Sequence, residues 1–335
     1  MQQYITFHRF LPCCVLLISC LACGGGGGGG DSQVSATGGS QAVAYGEITG
    51  FGSVIVNGIK FDMSGASVML DDDPGDDSQL RIGMMVRVEG KIDDNDRTKG
   101  QAHRVHFMDD LEGPISDIDY TNNTFVALGQ TVVVSARTHF EHVAGLDQLK
   151  VGNIVEVSGM VDANGVIQAT FVELEKLSFV PGDDEIEVKG TISELDTNTK
   201  TFKLKGLTVD YSNARLEDVP NGVLANGMFV EVESRQGIVD GKLIASEVEV
   251  ESKPWRYSDD DDMHEGKCVD IEGIVTKFTS SSDFEINGQP VKTTPQTKFE
   301  DGSPSWIALH VRLEVEGILD ANKVLVAREV EFEDD

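Results

Sequence analysis

The chain has 335 residues and carries 27 Lys and Arg against 57 Asp and Glu, a formal net charge of −30. Nucleic-acid binding needs cations that neutralise phosphates, so this balance argues against a nucleic-acid partner and against adsorption to an anionic membrane surface. Aromatic residues make up only 7%, which makes a stacking platform for bases or sugars a poor reading.

The first 23 residues read as a secretory leader. Arg9 is the only full charge before an apolar run from Phe10 to Ala22, and that run is too short to span a bilayer as a stable helix. Leu17-Ile18-Ser19-Cys20 resembles the lipobox of bacterial lipoproteins, and Cys20-Leu21-Ala22-Cys23 is a second, poorer match. The resemblance implies that Cys20 or Cys23 becomes a lipidated N-terminus anchored in a membrane. Neither frame has Asp just after the Cys, which by the same sorting rules implies the outer membrane, facing the periplasm or the surface. Gly24 to Gly30 is an unbroken glycine run. No Lys-Ser/Thr follows it and no strand precedes it, so it is not a phosphate loop. It reads as a flexible tether over 24–44. Of the five cysteines, only Cys268 falls in the body of the chain, so no intradomain disulfide can form. Cys268 reads as a small buried residue.

The rest of the chain is one pattern written four times. Each copy opens on Gly with an aliphatic residue two positions on: Gly46/Ile48, Gly113/Ile115, Gly190/Ile192, Gly273/Val275. A short run closed by Gly follows, ending at Gly58, Gly129, Gly206 and Gly288. Then comes an alternating stretch: Val86-Arg87-Val88-Glu89-Gly90, Val155-Glu156-Val157-Ser158-Gly159, Val230-Glu231-Val232-Glu233-Ser234, Leu313-Glu314-Val315-Glu316-Gly317. Each copy ends Ala-x-x-Val, at Ala102/Val105, Ala169/Val172, Ala245/Val248 and Ala327/Val330. Fixed-period self-similarity sets the architecture before any motif does. It predicts four β modules at 45–108, 109–175, 185–251 and 265–333, each small for an independent core.

Five strands are expected per module. In the second they fall near Gly113–Asp119, Thr124–Leu128, Thr131–Phe140, Asn153–Val161 and Ile167–Leu174, with period-two alternation clearest in the fourth. Asn57-Gly58 and Asn287-Gly288 are hairpin turns by composition. Between strands three and four a segment such as Asp147-Gln148-Leu149-Lys150-Val151-Gly152 reads as one helical turn, led by Ser or Asp as N-cap and ended by Gly in the first three modules. Three strands, a turn and two strands is the order of an OB-type barrel. The mixed parity of Ala-x-x-Val predicts a bulge in the last strand. The expected fold is therefore all-β: four tandem small OB-like five-stranded barrels behind a flexible lipoprotein tether. The joint Met108 to Glu112 is short and should hold modules one and two rigidly. The joint from Ser252 to Asp262 is longer and charged and should bend more.

These residues resemble the bacterial domain of unknown function family 5666, through the Gly-x-Ile start, the Leu-x-x-Gly-x-x-Val-x-Val-x-Gly centre and the Ala-x-x-Val end. The resemblance covers nearly all of 45–333 and implies tandem modules in a secreted lipoprotein, often behind a start like Cys23 to Gly26. It implies no catalytic residue. Module three departs from the pattern with Ser234 in place of the closing Gly, and module four has His310 where the others have Gly.

The usual nucleophile and metal signatures are missing from the sequence: no Gly-x-Ser-x-Gly, no His-Glu-x-x-His and no P-loop. His139-Phe140-Glu141-His142 is the densest ligand cluster. On a strand His139 and Glu141 would share a face and His142 would not, and an exposed loop is the plainer reading. His103 and His106 read as surface residues of the last strand of module one. The run Asp71-Asp72-Asp73-Pro74-Gly75-Asp76-Asp77 is placed in a loop after strand three. Asp71, Asp73 and Asp76 are its candidate calcium ligands, without the spacing of an EF-hand. No other cofactor is expected. The leading functional expectation is a non-enzymatic envelope lipoprotein that acts as a binding or structural module for an envelope protein or small ligand. A calcium-binding surface protein is the alternative, and an enzyme a distant third.

Overall fold

The computed structural model describes residues 39–71, 73–251 and 266–333. Among these the chain is all-β with four repeats. In repeat 2 the opening strand Leu111–Asp119 pairs with Thr124–Ala127, which pairs with Gln130–Val133. Gln130–Val133 then meets the last strand, Ile167–Lys176, in parallel. That strand pairs antiparallel with Ile154–Val161, which returns to Leu111–Asp119 and closes the barrel. The order 1-2-3-5-4-1 recurs in every repeat, as the OB-type reading requires. Closure removes the strand edges that an open five-stranded sheet would expose.

The expected third strand differs in one respect. It is split into Gln130–Val133 and His139–Glu141, and both pieces run parallel to the last strand (Val132 opposite Ile167, His139 opposite Phe171). A single straight strand cannot follow a strongly tilted neighbour around a barrel this small, and the break lets the chain turn and pair again. The helical turn is present in all four repeats as one 3-10 turn, for example Leu146–Gln148. The expected caps at Ser78, Asp147 and Ser305 are not formed; a side-chain cap is present only in repeat 1, and it comes from Asp76 instead. There Asp76 accepts from the Ser78 N–H at 3.0 Å, and Gln79 reaches back to the Asp76 N–H at 2.9 Å. The Gly after the turn sits at φ +95, +93 and +91 at Gly83, Gly152 and Gly227, and His310 takes the same place at φ +71. A side chain with Cβ adopts that conformation only at a cost. Here its imidazole reaches Asp162 of repeat 2 at 3.3 Å, so the strained residue ties two repeats together.

The expected bulge is found at one place. Register shifts fall at Glu89/Gly90, Ser158/Gly159 and Glu316/Gly317. The glycine is needed because a Cβ on Gly159 would lie 2.4 Å from the Gln168 carbonyl. Repeat 3, with Ser234, has no such shift and solves the turn differently. Its last strand breaks into Lys242–Ile244 and Glu247–Val250, and the buried Ser234 hydroxyl donates to the Ile244 carbonyl at 2.6 Å while accepting from the Gly237 N–H at 2.9 Å. Gly159→Ala should therefore cost roughly 1–3 kcal/mol in urea unfolding, the range for forcing an atom into a packed site. A change below a few tenths of a kcal/mol would contradict this account of the motif.

The repeats are not beads on a string. The opening strand of repeat 1 begins at Gly39, earlier than expected, so the tether reading of 39–44 is corrected: these residues pair with Val88 to Asp93. The same strand pairs in parallel with the opening strand of repeat 4 (Cys268–Ser280), with Ala42 opposite Cys268 and Tyr45 opposite Ile271. Repeats 2 and 3 join antiparallel, Val188 opposite Leu111. Side chains cross the remaining boundaries. Met85 of repeat 1 and Met160 of repeat 2 pack in the core of repeat 4, and Phe171 of repeat 2 packs in the core of repeat 1. The third joint, expected to bend, lies within residues 252–265, outside the described ones; among the described residues repeat 4 is fixed against repeat 1 by strand pairing. Arg312 of repeat 4 seals that join. Its Nε donates to Glu272 at 2.8 Å and its Nη2 to Glu47 of repeat 1 at 3.2 Å. Cys268 is half-buried against the core of repeat 1, close to its expected role.

Candidate functional site

The residues expected to hold calcium are not brought together. Asp73 lies on a short exposed strand, Asp73–Gly75, paired back on Ser67–Leu70, so the acidic run is a hairpin rather than an open loop. Asp76 is committed to its cap, and the hydrogen bonds from Ser78 hold its carboxyl below the usual range. Asp71, at φ +49, turns its carboxylate inward onto Lys189 of repeat 3 at 2.9 Å. Cys20 and Cys23 lie outside the described residues.

Lys189 is the centre that sequence reasoning missed. It sits on the opening strand of repeat 3 directly opposite Glu231, with Glu187 two residues before it on the same face. Its ammonium meets Asp71 of repeat 1 and Asp109 of the joint between repeats 1 and 2 at 2.9 Å each, Glu187 at 2.8 Å and Glu231 at 3.0 Å. Its side chain is 4% exposed and that of Asp109 is 2%. Burial opposes the lysine's charge, but Asp109, Asp71, Glu187 and Glu231 outweigh it and hold the amine well above its ordinary value. One ammonium cannot compensate four carboxylates in so dry a place. Burial accordingly pushes Asp109 well up and Glu231 to about 8, against the pull of Lys189, while Glu187 is held low by Lys189 despite its burial. Glu187 is thus the standing counterion, while burial draws Asp109 and Glu231 toward their neutral forms.

Asp110, next in the joint, accepts from the Gly159 N–H at 2.9 Å, and its own carbonyl accepts from the Lys189 N–H at 3.0 Å. Burial pushes its carboxyl up to about 7, opposed by the Gly159 hydrogen bond. Asp110 and Lys189 line a cavity of about 440 Å³ to which all four repeats contribute: Tyr45 from the first, Met160 from the second, Phe229 from the third and Asn287 from the fourth. This is the size of a small-molecule site, apolar with a few convergent polar groups. Burial, then Asp110 and Glu272, pushes the Tyr45 phenol up and keeps it a neutral donor. The arrangement can orient a polar group between a phenol and a carboxyl that titrates near neutrality, and can cover its apolar part with Met160 and Phe229.

The four-residue histidine cluster is divided. His139 points toward Glu47 of repeat 1, at 4.0 Å. Glu141 binds Arg81 of repeat 1 at 2.6 Å, and His142 binds Glu173 at 3.1 Å. His139 and Glu141 share a face of their strand as expected and both reach repeat 1, whereas φ +63 at His142 swings its ring round so that it converges with Glu141 and Glu173. His106 is half-buried, not at the surface, and its Nε2 lies 2.7 Å from the Asp71 carbonyl.

The family described as Domain of unknown function (DUF5666) matches the chain at residues 45–105, 112–173, 189–249 and 272–331. The chain belongs to this family. Its four family segments coincide with the four closed barrels. No curated protein matches the chain. A signal for the missed centre was present in the sequence. The residue before the opening Gly is Tyr45, Glu112 or Glu272 in three repeats and Lys189 in the other, so the one cation at that position marks the buried site.

Proposed function

We propose that this DUF5666 protein is a non-enzymatic binding module of the bacterial envelope, held to the outer membrane through a lipid on Cys20 or Cys23, with a small ligand seated in the cavity between the four repeats. The observation that carries the reading is that each repeat contributes to the lining of that cavity. A tandem array built only as a spacer has no need to converge on one pocket. The near-neutral carboxyl of Asp110 beside the Tyr45 hydroxyl suits a ligand that presents a hydrogen-bond donor or a cationic group. The leader and glycine run support the anchored location.

Native mass spectrometry of the protein extracted from its own envelope tests both parts. The expected result is a covalent lipid mass lost in the Cys20→Ala/Cys23→Ala variant, and a separate non-covalent mass lost in Thr191→Trp, which fills the cavity mouth from an exposed position. Equal covalent masses in the wild type and the cysteine variant would remove the anchor. A wild type that never carries a bound molecule would remove the ligand.

A further inference from the structure

The outer face of each barrel carries a cross-strand pair at the same register of its last two strands: Arg87 opposite His106, Glu156 opposite Glu173, Glu231 opposite Glu249, Glu314 opposite Glu331. Like charges directly opposite on a sheet are destabilising, so a glutamate pair at this place calls for a cation. Two repeats supply one from the chain. In repeat 1 the position itself is Arg87, bonded to Glu89 at 2.8 Å. In repeat 3, Glu231 takes the Lys189 ammonium at 3.0 Å.

Repeat 2 has the carboxylates without such an ammonium; repeat 4 gathers Glu314, Glu331 and Glu333 in the same way, but among the described residues only the repeat 2 cluster includes a buried oxygen with no hydrogen-bond donor. Glu156, Glu173 and Glu175 bring one oxygen each within 4.8 Å of one another. Glu156 Oε1 is buried there and meets no hydrogen-bond donor. A carboxylate oxygen sealed from water with no partner is costly, and it belongs to a carboxyl group of that cluster. Glu173 is steadied from outside by His142 at 3.1 Å, as an outer partner steadies a metal-binding carboxylate. Three carboxylates offer up to six oxygens, the set that hard divalent cations take.

We infer that Glu156, Glu173 and Glu175 bind one hard divalent cation of the calcium class, which does for repeat 2 what Lys189 does for repeat 3. The site lies on the barrel's outer face, apart from the acidic hairpin of Asp73 and Asp76.

Calcium chloride is the probe, applied to the whole mature protein after chelator treatment. Isothermal titration should give one strong site per chain, and calcium should raise Tm where sodium chloride of matched ionic strength does not. Glu156→Gln should abolish the heat. Glu175→Gln, at an exposed position where folding is not at stake, should weaken binding at least tenfold. Asp73→Asn/Asp76→Asn should leave it unchanged. A calcium effect reproduced by sodium chloride, or binding that survives Glu175→Gln at full strength, overturns the inference.

Discussion

Replacing Lys189 by Met is expected to destabilise the protein by about 3–5 kcal/mol, the cost of removing one partner from a buried ion pair. The substitution keeps the length and apolar stem of the side chain but leaves Asp71, Asp109, Glu187 and Glu231 without the ammonium they share at 2.8–3.0 Å. Because those residues come from repeat 1, the joint between repeats 1 and 2, and repeat 3, the loss should lower the midpoint of the whole urea transition rather than detach one repeat. A second substitution sharpens the test. In Lys189→Met/Glu231→Gln one of the stranded acids is gone, so the double variant should recover part of the loss, with a coupling of 0.5–3 kcal/mol, the usual range for groups in contact. A single variant as stable as the wild type would mean that the cluster is solvated, and the description of this centre would be wrong.

Stability should fall as pH rises from 5 to 9, against the common pattern of a maximum that extends to neutrality. Burial raises Asp110 to about 7, Glu231 to about 8 and Asp270 to about 8 in the folded protein. In the unfolded chain these groups titrate near 4. Between those values the native state binds more protons than the unfolded state, so the folded form is favoured at low pH. That advantage is fully present below about pH 4 and is lost as pH climbs through 7 to 8. Carboxyls shifted the other way, such as Asp96 at about 2, are exposed and matter only in strong acid. Each pK unit at a buried group is worth about 1.36 kcal/mol. Several such groups should separate the Tm values at pH 5 and pH 9 by on the order of 10 °C. Asp270→Asn isolates one of them. Its oxygen can still accept the Asn57 amide at 2.9 Å, so it should match the wild type at pH 5 and exceed it at pH 9. A Tm that rises steadily from pH 5 to pH 9 would refute the buried-acid picture.

The barrels could be read from the residues because their signals are local. Val155 and Val157 alternate with polar neighbours, Asn57-Gly58 and Asn287-Gly288 mark hairpins, and the parity of Ala-x-x-Val announces the bulge that Gly90, Gly159 and Gly317 permit. Even the departure at Ser234 marked the repeat that turns differently. The interlocking was harder to see, because which free edge a strand meets depends on chain segments hundreds of residues apart. One trace of it exists. Ala42-Val43-Ala44 lacks the alternation of a half-solvated strand and is buried throughout, as a strand covered on both faces must be: Val43 packs in the core of repeat 4 and Ala42 and Ala44 in that of repeat 1. The acidic run misled for a related reason. Its density suggested an open calcium loop, whereas positive φ at Asp71 sends one carboxylate inward to a lysine of another repeat. Charge along a sequence does not say which way a side chain turns.

The central claim is that repeat 4 docks on repeat 1 and closes the four barrels around a shared cavity. Ala42 lies opposite Cys268 in that docking pair, and both pack against the core of repeat 1. Ala42→Cys in the chain that begins after Cys23, where Cys268 is the sole native thiol, should oxidise to an intramolecular disulfide. The expected result is loss of both free thiols with the protein still monomeric, and a raised Tm that reductant reverses. Two thiols that stay free, or that pair only between molecules, would show that repeats 1 and 4 are not joined along these strands.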